Sequence, residues 1–227
     1  METRDTLGDR MKSYYEDRTR IYLPRKTYTI IRIDGKSFHT YTRRFERPFD
    51  WQFISMMDET AIYLCQNIMG AKFAFVQSDE ISILLTDFDK ITTEAWFDNN
   101  LQKMSSVSAS MATRAFNEQA LKEFGVDNMK WAEFDSRVFQ IPQEVEVYNY
   151  FIWRQQDTVR NSISSVSQSL YSPKELHGKN TNQQQEMIWK KGINWNDYDP
   201  KLKRGRLICK ENFQLGNGAI RNKWVKE

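Results

Sequence analysis

The chain switches several times between strand-like and helix-like hydrophobic periods. Tyr28 to Ile33 is a β-branched and aromatic run that suits a strand, and Gly35 ends it. From Phe53 the period changes. Phe53, Met57, Ala61, Leu64 and Ile68 recur at steps of four and three, which is one apolar helical face. Asp50 stands at its N-cap position and Gly70 at its end. Phe73 to Val76 and Ile81 to Leu85 are short apolar runs around Gln77-Ser78-Asp79-Glu80, the pattern of a hairpin. Residues 86–99 form an acidic connection. A second helix runs from about Leu101 to Leu121, with Leu101, Met104, Met111 and Ala115 on one face. Its middle is small (Ser105, Ser106, Ser108, Ala109, Ser110, Ala112), so it can lie close on a sheet. Phe134 to Ile141 reads as a fourth strand, stopped by Pro142.

The order β-α-β-β-α-β predicts an α+β, ferredoxin-like antiparallel sheet with its helices on one face. Right-handed crossovers place strand three beside strand one, so strands one and two run the same way. The end of strand one, at Asp34, and the turn between strands two and three, at Asp79, then meet at one edge of the sheet.

The flanks are less regular. Residues 1–27 read as a charged helical lead with Tyr14, Tyr15 and Tyr22, closed by Pro24. Beyond Pro142 a long helical pattern carries Val145, Tyr148, Ile152, Val159, Ile163, Val166 and Leu170, with Arg154, Asp157 and Arg160 on its other side. Residues 172–184 are polar and read as a mobile or binding loop. Glu186 to Lys191 suits a short helix, and Gly192 to Pro200 is rich in turn formers. Gly216 and Gly218 flank Asn217, which predicts a turn or hairpin in the basic tail. These features divide the chain into residues 1–141, a catalytic core with its helical lead, and residues 142–227, a helical and basic C-terminal extension packed on it. Trp224 to Glu227 does not read as a natural stop, so a longer natural chain is expected.

Composition narrows the class. No apolar run approaches the roughly eighteen residues of a membrane helix, and Met1 to Arg10 lacks a signal core. A cytoplasmic, soluble protein is expected. Cys65 and Cys209 stand far apart, with no disulfide framework or zinc spacing. Net charge is only +3, but the basic residues cluster. Arg10, Lys12, Arg18, Arg20, Arg25 and Lys26 crowd the start, and Lys201, Lys203, Arg204, Arg206 and Lys210 the end, around an acidic middle. That layout suits an anionic polymer held near a metal site.

Asp34 and Asp79 are the candidate catalytic pair. Magnesium takes carboxylate oxygens together with waters and substrate phosphates. Two acids at strand ends can hold two such ions, one activating a hydroxyl and one gripping a triphosphate. Glu80 is a weaker candidate ligand or a support, since it points to the opposite side from Asp79. Gly35, Lys36, Ser37, Phe38 and His39 form a turn whose backbone N–H groups can cradle phosphate. Ser78, Arg43, Arg44, Arg47 and Lys103 are further candidate triphosphate contacts. For each basic side chain the plain alternative is a solvated surface group.

Arg32-Ile33-Asp34-Gly35-Lys36-Ser37-Phe38-His39, Phe45-Glu46-Arg47-Pro48, Gln77-Ser78-Asp79-Glu80-Ile81-Ser82, Phe134-Asp135-Ser136-Arg137 and Trp153-Arg154-Gln155 together resemble the tRNA(His) guanylyltransferase superfamily. Gly192-Ile193-Asn194-Trp195-Asn196 is similar to its C-terminal region. The resemblance implies a polymerase-type palm working in the 3′→5′ direction. ATP activates a 5′-monophosphate on RNA, and the 3′-hydroxyl of an incoming nucleoside triphosphate, GTP or another, displaces the activating group. It also implies metal ligation by Asp34, the Gly35 carbonyl and Asp79, phosphate binding by Gly35 through His39, and triphosphate contacts by Arg47 and Lys103. The family's arginine three residues before that lysine falls on Asn100 here. After Trp-Arg-Gln the guanylyltransferases proper carry His-Ile-Asn-Asn-Leu-Tyr-Asn; this chain reads Val159-Arg160-Asn161-Ser162-Ile163-Ser164-Ser165. The resemblance is therefore to the guanylyltransferase-like branch of bacteria, archaea or phages. That branch implies templated repair of 5′-truncated tRNA rather than untemplated guanosine addition to tRNA(His), and a homodimer or homotetramer. Expected RNA contacts are Arg18, Arg20, Arg25, Lys26, Arg154, Arg160, Asn161, Lys201, Lys203, Arg204 and Arg206.

Two rival readings stay open from the residues. A nucleotide cyclase also uses two acids at the edge of a palm. A non-enzymatic RNA-binding module is faintly echoed in Lys72-Phe73-Ala74-Phe75-Val76, which lacks the glycine of an RNP1 strand.

Overall fold

The computed structural model describes residues 6–214 and 220–227. Its strands are β1 Tyr28–Gly35, β2 Ala71–Gln77, β3 Glu80–Leu85, β4 Phe134–Ile141, β5 Arg206–Gln214 and β6 Ile220–Lys226. They form one sheet in the order β4-β1-β3-β2-β5-β6, with every neighbour antiparallel. The first four stand in the order that the β-α-β-β-α-β pattern predicts. The helices are α1 Thr6–Met11, α2 Phe38–Tyr41, α3 Trp51–Asn67, α4 Leu101–Phe124, α5 Glu144–Leu170, α6 Pro173–Leu176, α7 Thr181–Lys190 and α8 Pro200–Lys203.

Local chemistry sets the element ends. Asp50 Oδ1 accepts the Phe53 N–H at 2.8 Å and starts α3. Asn100 Oδ1 accepts the Lys103 N–H at 3.0 Å and starts α4. Gly70 follows α3 with φ +84°, and a Cβ there would stand 2.6 Å from the Thr86 carbonyl oxygen, so only glycine fits.

The helices α3 and α4 cover one sheet face. The predicted α3 stripe is buried, with Met57, Ala61 and Leu64 fully so, against Ile31, Ile33, Ile81 and Ile83. The small residues of α4 do let it approach the sheet. Ser105 Oγ donates to the Ser136 carbonyl and Ser108 Oγ meets Ser136 Oγ, each at 2.7 Å.

The opposite face is covered by α5. Val147 and Tyr150 pack on Ile30 and Leu84, and Phe151 sits 4.7 Å from Phe73. The aromatic strand β2 is thus roofed rather than open to stack bases. The face of α5 differs from the periodic expectation. Val145, Tyr148 and Ile152 are 58%, 63% and 52% exposed, while Arg154 and Thr158 are buried. The reason is the floor beneath: this sheet face carries Arg32, Glu80, Ser82 and Gln77, so the helix turns polar groups inward to satisfy them.

The C-terminal extension is helical, as expected, but it also completes the sheet. Ile208 pairs with Ala74, which attaches β5 to β2, and β6 lies outside β5. The predicted turn at Gly216–Gly218 lies outside the described residues, between the paired Gln214 and Ile220. Residues 172–184 are not an open loop. A capping box of Ser172 with Glu175 starts α6, and one of Asn180 with Gln183 starts α7. Among the described residues no helix is long and apolar enough to cross a membrane.

Candidate active site

The hairpin of β2 and β3 turns through Ser78 and Asp79, with Gln77 paired to Glu80. Ser78 takes a φ of +45°. The next strand over, β1, ends beside it, and the Gly35 N–H donates to the Asp79 carbonyl at 3.2 Å. Two acids far apart in the chain are thereby fixed at one sheet edge. Asp34 faces Glu80 on one side and Asp135 on the other. Arg32 and Arg137 each approach Asp34 Oδ2 only to 3.8 Å, too long for a hydrogen bond, so this carboxylate is balanced but not occupied.

Asp79 is different. Burial is the main force on its carboxyl and pushes it up to about 6; Asp34 raises it further, while the Ser78 hydroxyl and the local backbone pull it back. Its folded pKa lies above the unfolded value. Its contribution to stability is therefore present below about pH 4 and lost as pH rises through about 6, a loss of roughly 3 kcal/mol. In metal-free buffer, Asp79→Asn should remove that decline. Urea unfolding at pH 4, 5, 6 and 7 checks it: wild type and variant curves that stay parallel would contradict the assignment.

Glu80 takes no part in an open ligand set. Arg154 holds it with Nε at 2.8 Å and Nη2 at 2.6 Å, and Arg32 stands at 3.1 Å. Of the two roles expected for Glu80, weaker ligand or support, the geometry favours support: its oxygens already face Arg154 and Arg32.

After Gly35 the chain turns sharply. A Cβ on Gly35 would lie 2.3 Å from the Phe38 ring, so the close turn requires glycine. Phe38, expected as a nucleotide contact, points its ring into the core against Tyr41, Phe116 and Phe134. Only its backbone can serve a ligand. The Lys36 N–H donates to the Glu133 carbonyl at 2.8 Å, and its Nζ pairs with Glu133. With Gly35 and Lys36 engaged, Ser37 to His39 is the part of the turn left to face phosphate.

Two cavities adjoin at this edge. One, of about 420 Å³, is lined by Asp34, Asp79, Arg32 and Asp157. The other, of about 290 Å³, is lined by His39, Arg47, Asp50 and Ile54. They share Gln77 and Ser78 from the turn and Asn161, Ser165 and Gln168 from α5. This stripe of α5, at spacings of four and three, brings Ser165 and Gln168 to the site, which the sequence reading missed. The spacing was the available signal. Lys103 lines neither cavity; its Nζ stands 5.9 Å over the Phe97 ring.

The expected basic contacts divide by burial. Arg154, Lys203 and Arg206 are only 4–5% exposed and cannot form an RNA surface. Arg154 is spent on Glu80, Lys203 donates to the Asn196 carbonyl at 2.5 Å, and Arg206 pairs with buried Asp58 at 2.6 Å. Arg25 binds Asp87 and Asp98, and Lys26 donates to the Asp87 and Thr93 carbonyls, which pins the start of β1 to the acidic connection. Arg44 lies 4.1 Å over the Phe124 ring and donates to Tyr41 and Asn128. Arg18, Arg20, Arg160, Lys201 and Arg204 stay exposed, with Arg20 paired to Glu16 and Arg160 to Asp157.

Comparison with known proteins agrees with this geometry. The family model described as tRNAHis guanylyltransferase matches residues 8–142. A bacterial tRNA(His) guanylyltransferase (Thg1)-like protein, solved in complex with ATP, is 48% identical; the match covers 98% of this chain and 91% of that one, with a TM-score of 0.88. Its complex with GTP superposes with a TM-score of 0.81. The tRNA(His) guanylyltransferase of Saccharomyces cerevisiae is 26% identical over 88% of this chain and 91% of that one, with a TM-score of 0.75. A probable tRNA(His) guanylyltransferase of Dictyostelium discoideum is 27% identical over 86% of this chain and 80% of that protein. The chain belongs to the tRNA(His) guanylyltransferase superfamily, on its bacterial-type branch, and is a nucleotidyltransferase.

Proposed function

We propose that this chain adds nucleotides to the 5′ end of tRNA, and that it does so by templated 3′→5′ repair of truncated tRNA. The single observation that carries the reading is the meeting of Asp34 and Asp79 in one of two adjoining cavities. One cavity holds the acids and suits the reacting ends. The other, lined by His39, Arg47 and Ser78, suits a nucleoside triphosphate. In the first reaction a 5′-phosphate oxygen attacks the α-phosphorus of ATP and pyrophosphate leaves. In the second, the 3′-hydroxyl of the incoming nucleotide attacks the activated 5′-phosphorus and AMP leaves.

The donor set fits magnesium. Asp34 is unoccupied by any hydrogen-bonding cation, and Asp79 is a half-buried carboxylate whose charge needs a partner. Asp34, the Gly35 carbonyl and Asp79 would hold it. When bound, magnesium lowers the pKa of the attacking hydroxyl and draws charge from the phosphates. The chain's own groups orient the nucleotide: Ser37 to His39 meet the phosphates, Arg47 adds positive charge, and the α5 stripe of Asn161, Ser165 and Gln168 forms the shared wall. Val159 stands where the guanylyltransferases proper place histidine, which supports repair over untemplated guanosine addition. The exposed apolar positions Val145, Tyr148 and Ile152 support assembly into a dimer or tetramer.

The test uses a labelled, 5′-phosphorylated tRNA lacking its first nucleotide, with ATP, magnesium and one nucleoside triphosphate at a time. Only the nucleotide complementary to the opposing acceptor base should be added. Addition that ignores that base would keep a nucleotidyltransferase and remove the repair reading.

A further inference from the structure

The groups on the wall shared by the two cavities differ in what they still have to give. Gln77 is spent: its amide donates to Glu80 at 3.2 Å and accepts from the Thr158 hydroxyl. The Ser78 hydroxyl serves the Asp79 carboxyl. Beside the α5 stripe, Ser162 accepts the Trp195 indole N–H at 3.2 Å and Ser167 donates to Gln184 at 3.0 Å. Asn161, Ser165 and Gln168 line both cavities and make no side-chain hydrogen bond among the described residues. Asn161 and Gln168 are exposed and Ser165 is half-buried, so all three are open to a ligand. Of the three, Asn161 stands nearest the acids. Thr158 fastens α5 to Gln77, at the head of the turn that carries Ser78 and Asp79. Asn161 follows Thr158 within one helical turn on the same face, and Gln168 lies about 10 Å further along the helix.

We propose that Asn161 holds the ribose of the incoming nucleotide by its 2′-hydroxyl, and so makes the chain select ribonucleotides over 2′-deoxynucleotides. The inference rests on the reading that Asp34 and Asp79 serve the attacking 3′-hydroxyl while the neighbouring cavity takes the triphosphate. On that reading the sugar bridges the two cavities. Its 3′-oxygen belongs at the acids, and its 5′-oxygen leads to Ser37–His39 and Arg47. The wall that the cavities share is then the wall that the sugar meets. The free groups on it are uncharged, which suits hydroxyls rather than phosphates. A carboxamide offers a donor and an acceptor, and a hydroxyl can use both. The 2′-hydroxyl is the neighbour of the attacking oxygen, so the amide nearest the acids is the one that reaches it. A grip there orients the 3′-oxygen as well as the sugar.

The experiment is single-turnover addition to a 5′-triphosphorylated truncated tRNA, in which the incoming nucleotide is the only free one. The complementary nucleotide is supplied in its ribo and its 2′-deoxy form, and the rate over the half-saturating concentration is read for each. Wild type should favour the ribonucleotide about tenfold. Asn161→Ala should lose about tenfold with the ribonucleotide and less than about twofold with the deoxynucleotide. Its melting temperature should not change, since the side chain is exposed. Any intrinsic effect of the 2′-hydroxyl on its neighbour survives in the variant, so the change in the ratio isolates the contact. No ribose preference in wild type, a preference that survives in Asn161→Ala, or an equal loss for both sugars would each overturn the proposal. Arg47→Ala separates it from the reading beneath. If that variant leaves addition of both nucleotides unchanged, the triphosphate sits elsewhere and both fall. If it weakens both alike while Asn161→Ala leaves the ratio as it was, the ribose contact alone falls.

Discussion

Replacing Asp34 or Asp79 by alanine lowers nucleotide addition about a thousandfold or more, with the fold retained. Both carboxylates sit at strand ends, outside the buried hydrophobic core, so neither contributes packing that the core needs. Asp34 has no close hydrogen-bonding cation to lose. Asp79 carries a burial cost, so Asp79→Ala should melt at or slightly above the wild-type temperature at pH 7. The two losses should not add, because either acid alone leaves an incomplete ligand set. Single-turnover extension of a 5′-triphosphorylated truncated tRNA, which needs no activation step, checks this directly. Either variant within tenfold of wild type would remove that acid from the chemistry.

The adjacency of these acids was legible because it depends on few quantities. The β-branched and aromatic run over Tyr28 to Ile33, period 3.6 over Phe53 to Ile68 and the handedness of crossovers suffice to put Asp34 beside Asp79. The polar half of the site was not legible, for a physical reason. Arg154 and Thr158 are buried only because Glu80 and Gln77, on distant strands, receive their hydrogen bonds. Periodicity counts apolar residues, so it assigned Val145, Tyr148 and Ile152 to the core and Arg154 to solvent. The same blindness applies to Arg206: in a basic tract it reads as surface, and only the position of Asp58 on α3 draws it inside. In residues 172–184, composition masked two capping boxes, since cap residues and loop residues are the same types. The family resemblance located Asp34, Gly35 and Asp79, but its motif letters do not distinguish a ligand from the buried Glu80 that follows it.

Arg154→Ala should cost about 3–5 kcal/mol of stability, because it breaks a buried pair and leaves Glu80 short of its bidentate partner. Arg32 at 3.1 Å remains, so Glu80 keeps one cation, and the loss should fall toward the lower end of that range. Arg154→Lys should recover only part of it, since an ammonium cannot place two parallel donors on the carboxylate. Glu80→Gln/Arg154→Met, which removes both charges, should be milder than either charge removed alone. Urea unfolding of the four proteins measures this, and a loss below about 1 kcal/mol for Arg154→Ala would show that the pair is not the tie the geometry indicates. The consequence reaches the chemistry through the chain. Glu80 directly follows Asp79, and Arg154 fastens it to the helix that forms the shared wall of both cavities. A variant that stays folded at low temperature but loses this tie should therefore need more magnesium for half-maximal addition. Asp79 would then be present with its position no longer held.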